Sequence, residues 1–341
     1  MKSTGLDSSA RSWITQRARE APEGLSLWVA NTFNVTRRTA NLWLASMVAQ
    51  GFLRATGTTH KQYSIGPNVE FSFFVPAARL DENQLWLDRI LPWLSDIPDN
   101  VVRICHHGFT EMVNNACDHS EGQKLWIRLR VDALSVEMIV DDDGVGIFNK
   151  VQRALNLPDP RLSLLELAKG RFTTDPKNHS GEGIFFSSRM FDDFAIFADG
   201  LTFSHQDGHK FDYLFESEQA KKGTMVVMRI ARDSTRVPND VFFRFAAPDE
   251  FSFDRTIVPM KLARLGNESL VSRSQAKRVI LRFDRFSFVD LDFTGIPTIG
   301  QAFADEIFRV YANAHPELTL TYSHCAPEVE MMIRRARAHR E

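Results

Sequence analysis

Glu111 and Asn115 stand four residues apart in the stretch FTEMVNNACDHS, Phe109 to Ser120. On a helix that spacing turns both side chains the same way. A carboxylate beside an amide oxygen can take a proton from a water while the amide holds a magnesium ion. Exposed helix faces also carry such pairs with no function, so the residues further along the chain decide what this pair means. Asp142 comes next, at the end of an alternating run, with Gly144 and Gly146 behind it. A carboxylate there can accept from an exocyclic amine such as that of adenine, and the glycines leave the backbone free to approach a flat ligand. Gly181 and Gly183 then form a turn into a helix, whose free N–H groups favour phosphate. Last comes Gly223-Thr224, which opens the strand MVVMRIA.

Elements that could position these groups are legible around them. A helix over Asp81–Ser95 leads to a long second helix from Asp99-Asn100 through Glu111 and Asn115. Lys124–Val131 and Ser135–Val140 alternate as paired strands, with further strands near 194–197, 200–204 and 210–216. Between them Phe148 to Ser180 reads as one long loop, with Lys169, Arg171, Thr173, Thr174 and Lys177 as its basic and hydroxyl groups. A loop of this length in a folded domain suits a lid over a ligand. The tandem His106-His107 precedes Glu111 on the same helix, and no carboxylate–His spacing completes a metal site, so the pair is expected to pack the core or to support the site from behind.

The order of these parts resembles the GHKL superfamily, the nucleotide-binding fold shared by gyrase B subunits, sensor histidine kinases and mismatch-repair ATPases. Glu111 and Asn115 match its N box, Asp142-x-Gly144-x-Gly146 its first glycine box, Gly181-x-Gly183 its second, and Gly223-Thr224 its closing pair, over roughly 120 residues. The resemblance implies Mg2+ on Asn115, adenine on Asp142, and water-mediated contact from Thr224. It further implies that Gly144, Gly146, Gly181 and Gly183 close on ATP, with Lys169 and Arg171 in the lid and Glu111 as general base. Phe185-Phe186 departs from the family, which has small residues there; packing into the core is the expected reason.

Residues 1–66 resemble a winged helix-turn-helix: a short helix with Leu27, Val29, Ala30 and Phe33, a turn, a second helix capped by Thr36, and a hairpin around Gly57. The opening residues are polar and expected to fray. Eight Lys/Arg face three Asp/Glu in this segment, with Arg37, Arg38 and Asn41 at the start of the second helix. Thr58, Thr59, His60 and Lys61 would form the wing tip. DNA is the expected partner, with Arg37, Arg38, Asn41 and Lys61 on the duplex; a protein-docking module has the same outline.

Residues 245–341 alternate strands and helices: Arg278–Asp284, Val289–Phe293 and Leu318–Tyr322 as strands, 298–314 and Pro327–Ala338 as helices. The run VDLDFTGIPTIGQAFADEIF resembles STAS and STAS-like domains, among them antagonists of anti-sigma factors that a GHKL kinase phosphorylates on serine. No Asp-Ser pair occurs here, so the resemblance implies a partner-binding or self-associating domain, with Thr294 and Thr298 as the remaining acceptors.

The whole is expected to be an α+β multidomain protein: residues 1–66 a winged-helix head, 67–244 a GHKL sandwich with a mixed sheet and helices on one face, 245–341 a small α/β tail. The 341 residues carry a net charge of -2 and three cysteines without metal-like spacing, and no apolar run could span a bilayer. A cytoplasmic protein without a membrane partner is the expectation. Two functions fit: an ATP-responsive regulator with slow hydrolysis, or an anti-sigma-type serine/threonine kinase acting on a STAS-like partner or on its own tail. A sensor histidine kinase fits poorly, because Asp81–Ser95 holds no acceptor His.

Overall fold

Asp7 opens the first helix of the chain by accepting from the Ala10 amide at 2.7 Å. In the computed structural model the described residues are 6–338, apart from 59–60, 67–68, 79, 174, 176–179, 207–212, 217–220 and 248–249. Thr59, His60, Thr174, Lys177 and the start of the strand expected near 210 therefore lie outside the described residues.

Three helices and a hairpin build the N-terminal part: α1 (Ser8–Glu20), α2 (Leu25–Thr32), α3 (Arg37–Ala49), then β1 (Leu53–Thr56) antiparallel to β2 (Gln62–Ile65). Helix α1 replaces the frayed start expected from its polarity. Ala10, Ile14 and Ala18 recur every fourth position and are buried, while Trp13 on another face is 60% exposed. In α3 the buried stripe is Ala40, Trp43, Leu44 and Met47, as the spacing predicts, and Thr36 caps it by accepting from the Thr39 amide. Helix α2 is held by Leu25 and Val29, while Leu27 is 52% exposed.

A seven-stranded sheet follows, from β3 (Val69–Pro76), β4 (Lys124–Val131), β5 (Ser135–Asp142), β6 (Asp193–Ala198), β7 (Leu201–Gln206), β8 (Tyr213–Glu216) and β9 (Thr224–Ala231). Their spatial order is β3-β4-β5-β9-β6-β7-β8. Every neighbouring pair is antiparallel, which corrects the mixed sheet expected. The strands alternate, so Leu125, Ile127 and Leu129 of β4 bury beside Val136, Met138 and Val140 of β5. Helix α4 (Glu82–Leu85) runs on through a wide turn over Trp86–Ile90 to Trp93, in the place where a helix was expected. Helix α5 (Asp99–His119) then lies on the buried face of the sheet through Ile104, Cys105, Phe109, Met112 and Val113, spaced three and four apart.

The single loop expected over 148–180 is corrected. It contains α6 (Ile147–Leu155) and α7 (Leu162–Lys169). Phe148 and Val151 bury in α6, and α7 is buried all round from Leu162 to Lys169. Helices α8 (Gly183–Met190) and α9 (Pro238–Phe245) complete this layer. Phe185 and Phe186 are buried in α8 against Phe242, Phe245 and Phe253, which is the packing role expected of them.

The C-terminal part starts with a short hairpin of β10 (Ala246–Ala247) and β11 (Glu250–Phe253). Three parallel strands come after it, β12 (Arg255–Pro259), β13 (Phe288–Asp292) and β14 (Thr319–Ser323), side by side in that order. Residues 278–284 are not the strand expected; they finish α10 (Arg273–Ile280) and a short tight turn over Phe283–Arg285. The reason is local. Ser272 and Gln275 form a reciprocal capping box, which starts a helix that buries Ala276 and Val279. Helix α11 (Gln301–Asp305) continues through a wide turn to Tyr311, and Pro327–Ala338 is a closing helix. Apolar packing divides in two: one cluster within residues 10–63, and one continuous core from Ala77 to Ala336.

His107, on α5, packs its ring edge-on against Phe242, and its buried Nε2 has no hydrogen-bond partner among the described residues. Burial, helped by His106, pushes its pKa down to about 4. The unfolded chain takes up that proton near pH 6.5 and the folded chain only near 4, so stability falls as pH drops through this window. The loss is at most about 3 kcal/mol. His107→Phe is expected to lose less over the same range, measured by urea unfolding at stepped pH.

Candidate functional site

One cavity of about 370 Å³ opens between α5, the β5–α6 turn and the start of α8. Glu111 and Asn115 reach it from α5, Asp142 from the end of β5, and Gly146 from the first turn of α6. Gly181 and Gly183 close another wall, and Thr224 enters from β9. Four stretches spread over more than a hundred residues of sequence thus meet in one place.

The three consecutive aspartates at the end of β5 take different positions because strand side chains alternate. Asp141 pairs with Lys221 at 2.6 Å. Asp143 caps the start of β4, accepting from the Gln123 and Lys124 amides, which hold its carboxyl below the ordinary range. Asp142 turns inward. Its Oδ1 accepts from the Gly144 amide at 2.9 Å and the Thr224 amide at 3.1 Å. Its Oδ2 has no protein partner among the described residues. Burial raises its pKa, against the lowering pull of those two amides. Thr224 is also engaged: its Oγ1 accepts from the Ile147 amide at 3.0 Å, which ties β9 to the first turn of α6.

Two glycines are required by close approach. A Cβ on Gly183 would stand 2.0 Å from Glu111 Oε2, so the carboxylate rests directly on the start of α8. Gly223 has φ +79, and a Cβ there would meet the Asp142 carbonyl oxygen at 1.9 Å. Glycine at 223 therefore lets β9 pass close enough to deliver Thr224 to Asp142.

Not every expected residue reaches the cavity. Gly144 lies just behind it, bonded to Asp142. Lys169 is corrected: it is 0% exposed, with Nζ 2.6 Å from Glu166 and donating to the Leu281 carbonyl at 2.9 Å. It ends a buried helix, so a lid cation is excluded by burial. Arg171 is also turned away, donating to the Arg285 carbonyl. Lys150 supplies a cavity cation instead, held by the His119 carbonyl and by Glu121 at 3.2 Å. Sequence reasoning missed Lys150, although it lies one helical turn after Gly146 and the loop reading concealed that turn. Asn114 and Phe172 of the wall were missed as well.

Magnesium can be tested against this donor set. Asn115 offers a neutral oxygen one turn from the Glu111 carboxylate, and no group of three His, Cys, Asp or Glu residues gathers among the described residues. A hard cation here would rely on a ligand's phosphates and on water, as Mg2+ commonly does. The residues fit that ion.

In the N-terminal part, Arg37, Arg38 and Lys61 are exposed. Asn41 is exposed too, but its Oδ1 accepts from Ser26 at 2.5 Å. At the other end, Thr298 is exposed ahead of α11, while Thr294 donates to Asp292.

Residues 275–330 match the family model of a STAS-like domain of unknown function (DUF4325). That stretch runs from within α10 through β13, α11 and β14 into the closing helix. No curated protein matches the chain. Among the described residues no helix is long and apolar enough to cross a membrane.

Proposed function

We propose that the cavity binds Mg-ATP, and that the protein is a nucleotide-dependent regulator of the GHKL type with slow hydrolysis. The observation that carries the reading is the convergence of Glu111, Asn115, Asp142, the glycine turns and Thr224 on one cavity of about 370 Å³. That size lies within the usual range for small-molecule sites, about 300–1,000 Å³. Asp142 Oδ2 accepts the adenine amino group, and Thr224 holds the adenine side. The free amides opening α8 receive phosphate. Asn115 holds magnesium, which when bound offsets phosphate charge. Glu111 takes the proton from the attacking water.

Glu111→Gln is expected to bind ATP as the wild type does and to lose phosphate release by about a hundredfold or more. Normal release in that variant removes the general-base role. Intact mass after incubation with ATP separates the kinase reading: one added phosphate on Thr298, or on an added STAS-like protein, replaces hydrolysis by transfer.

The STAS-like domain supports a regulatory output through a protein partner or a second copy. The N-terminal part is read as a winged helix on DNA, supported by α3, the hairpin after it, and the exposed Arg37 and Arg38. Arg37→Ala/Arg38→Ala is expected to weaken duplex binding and to flatten its salt dependence by about two phosphate contacts. Gel shifts at several salt concentrations check it; no shift by the wild type at low salt returns the module to protein docking.

A further inference from the structure

The cavity wall formed by Phe172 and Thr173 is fastened from outside, by the STAS-like domain. Arg282 lies within the matched segment and just beyond α10. Its guanidinium donates to the Gly170 carbonyl at 2.8 Å and to Glu166 Oε2 at 3.0 Å, and stands 5.3 Å from the Phe172 ring centroid. The Leu281 carbonyl beside it accepts from Lys169. Arg282 takes the left-handed conformation, φ 64, which non-glycine residues seldom adopt. The bend lets consecutive residues send one carbonyl and one guanidinium into α7. Arg171 adds a second fastening, donating to the Arg285 carbonyl and standing 3.9 Å from Glu182, between the two glycines of the α8 turn. The backbone of Phe172 in turn lies within 2.5 Å of where a Gly181 Cβ would be, so the fastened segment sits directly on that turn.

We propose that Arg282, with Arg171, is a positioning residue for the nucleotide: the STAS-like domain sets the cavity's affinity by holding Gly170–Thr173 in place. This rests on the ATP reading of the cavity. A ligand that needs Phe172, Thr173 and Gly181 in register binds best when the seam is made. A partner that pulls on α10 or the turn after it loosens the nucleotide, and by linkage the nucleotide resists that partner.

Calorimetric titration with Mg-ATP tests this in the full chain, on wild type, Arg282→Lys, Arg171→Ala and Arg337→Ala. Lysine keeps a charge beside Glu166 but lacks the fork that reaches Gly170 as well. Arg337, which donates to the Leu320 carbonyl at 3.1 Å, is the control: its loss weakens the same C-terminal part away from the seam. The expected result is a Kd raised about tenfold in Arg282→Lys and Arg171→Ala and unchanged in Arg337→Ala. Faster amide exchange over 170–173 is expected in the first two alone. Should Arg282→Lys fail to fold, the half-buried Arg171→Ala decides. Wild-type affinity in the seam variants overturns the inference while the ATP reading stands; no ATP binding by the wild type overturns both.

Discussion

Asn115→Ala is expected to lose the magnesium-dependent part of ATP affinity, about a hundredfold, while affinity without magnesium changes little. The amide oxygen is a hard, neutral ligand, and a methyl group replaces it with nothing. Glu111, one turn earlier on the same face, is the proposed proton acceptor and bears against Gly183. Asn114 makes a stringent control because it also lines the cavity but lies about 100° around the helix. Asn114→Ala should therefore leave the magnesium dependence intact. Titrations with magnesium and with chelator measure it. An equal loss under both conditions would assign Asn115 to the nucleotide itself.

Glu166→Ala is expected to cost about 3–5 kcal/mol of stability, since it strands two buried cations. Lys169 and Glu166 are fully buried and Arg282 is only 10% exposed, so water cannot replace the lost carboxylate. Burial already pulls the Lys169 pKa down to about 8, against the opposing pull of Glu166. Removing the anion leaves burial unopposed. The apolar triple replacement Glu166→Leu/Lys169→Met/Arg282→Met should recover most of the loss, because removing a whole buried ion cluster is often neutral or stabilising. Chemical denaturation of the three proteins checks this. A loss below about 1 kcal/mol in Glu166→Ala would mean that the seam is wet or open in solution.

How much of this was legible in sequence depended on how local each signal was. The Glu111–Asn115 spacing needs only a helix, and a 21-residue helix carries it. Asp142 and the glycines after it need only a strand end and a turn. Phe185-Phe186 was readable as core because two adjacent large apolar residues seldom face water. Other features were set by distant contacts. Lys169 and Arg171 read as lid cations because residues 148–180 read as one long loop, while what fixes them is Glu166 on the same helix and the Leu281 and Arg285 carbonyls across the seam. The apolar run in RVILRFD reads as a buried strand, yet the Ser272–Gln275 capping box just upstream starts a helix that takes its first three residues. Helix α1 was hidden by its polarity, since only three small or branched residues on one face hold it down. Strand β3 was missed for a related reason: Phe71 and Phe73 face the core side while Phe74 is exposed at the sheet edge, which blurs the alternation.

The most direct test is a calorimetric titration of the wild-type chain with ATP and, separately, with GTP, both with magnesium. Asp142 Oδ2 is an acceptor, so it favours the amino group of adenine and disfavours the carbonyl that guanine carries in its place. The expected result is saturable binding of one ATP per chain, with GTP weaker by at least about tenfold. No saturable ATP binding, or equal binding of the two nucleotides, would contradict the account.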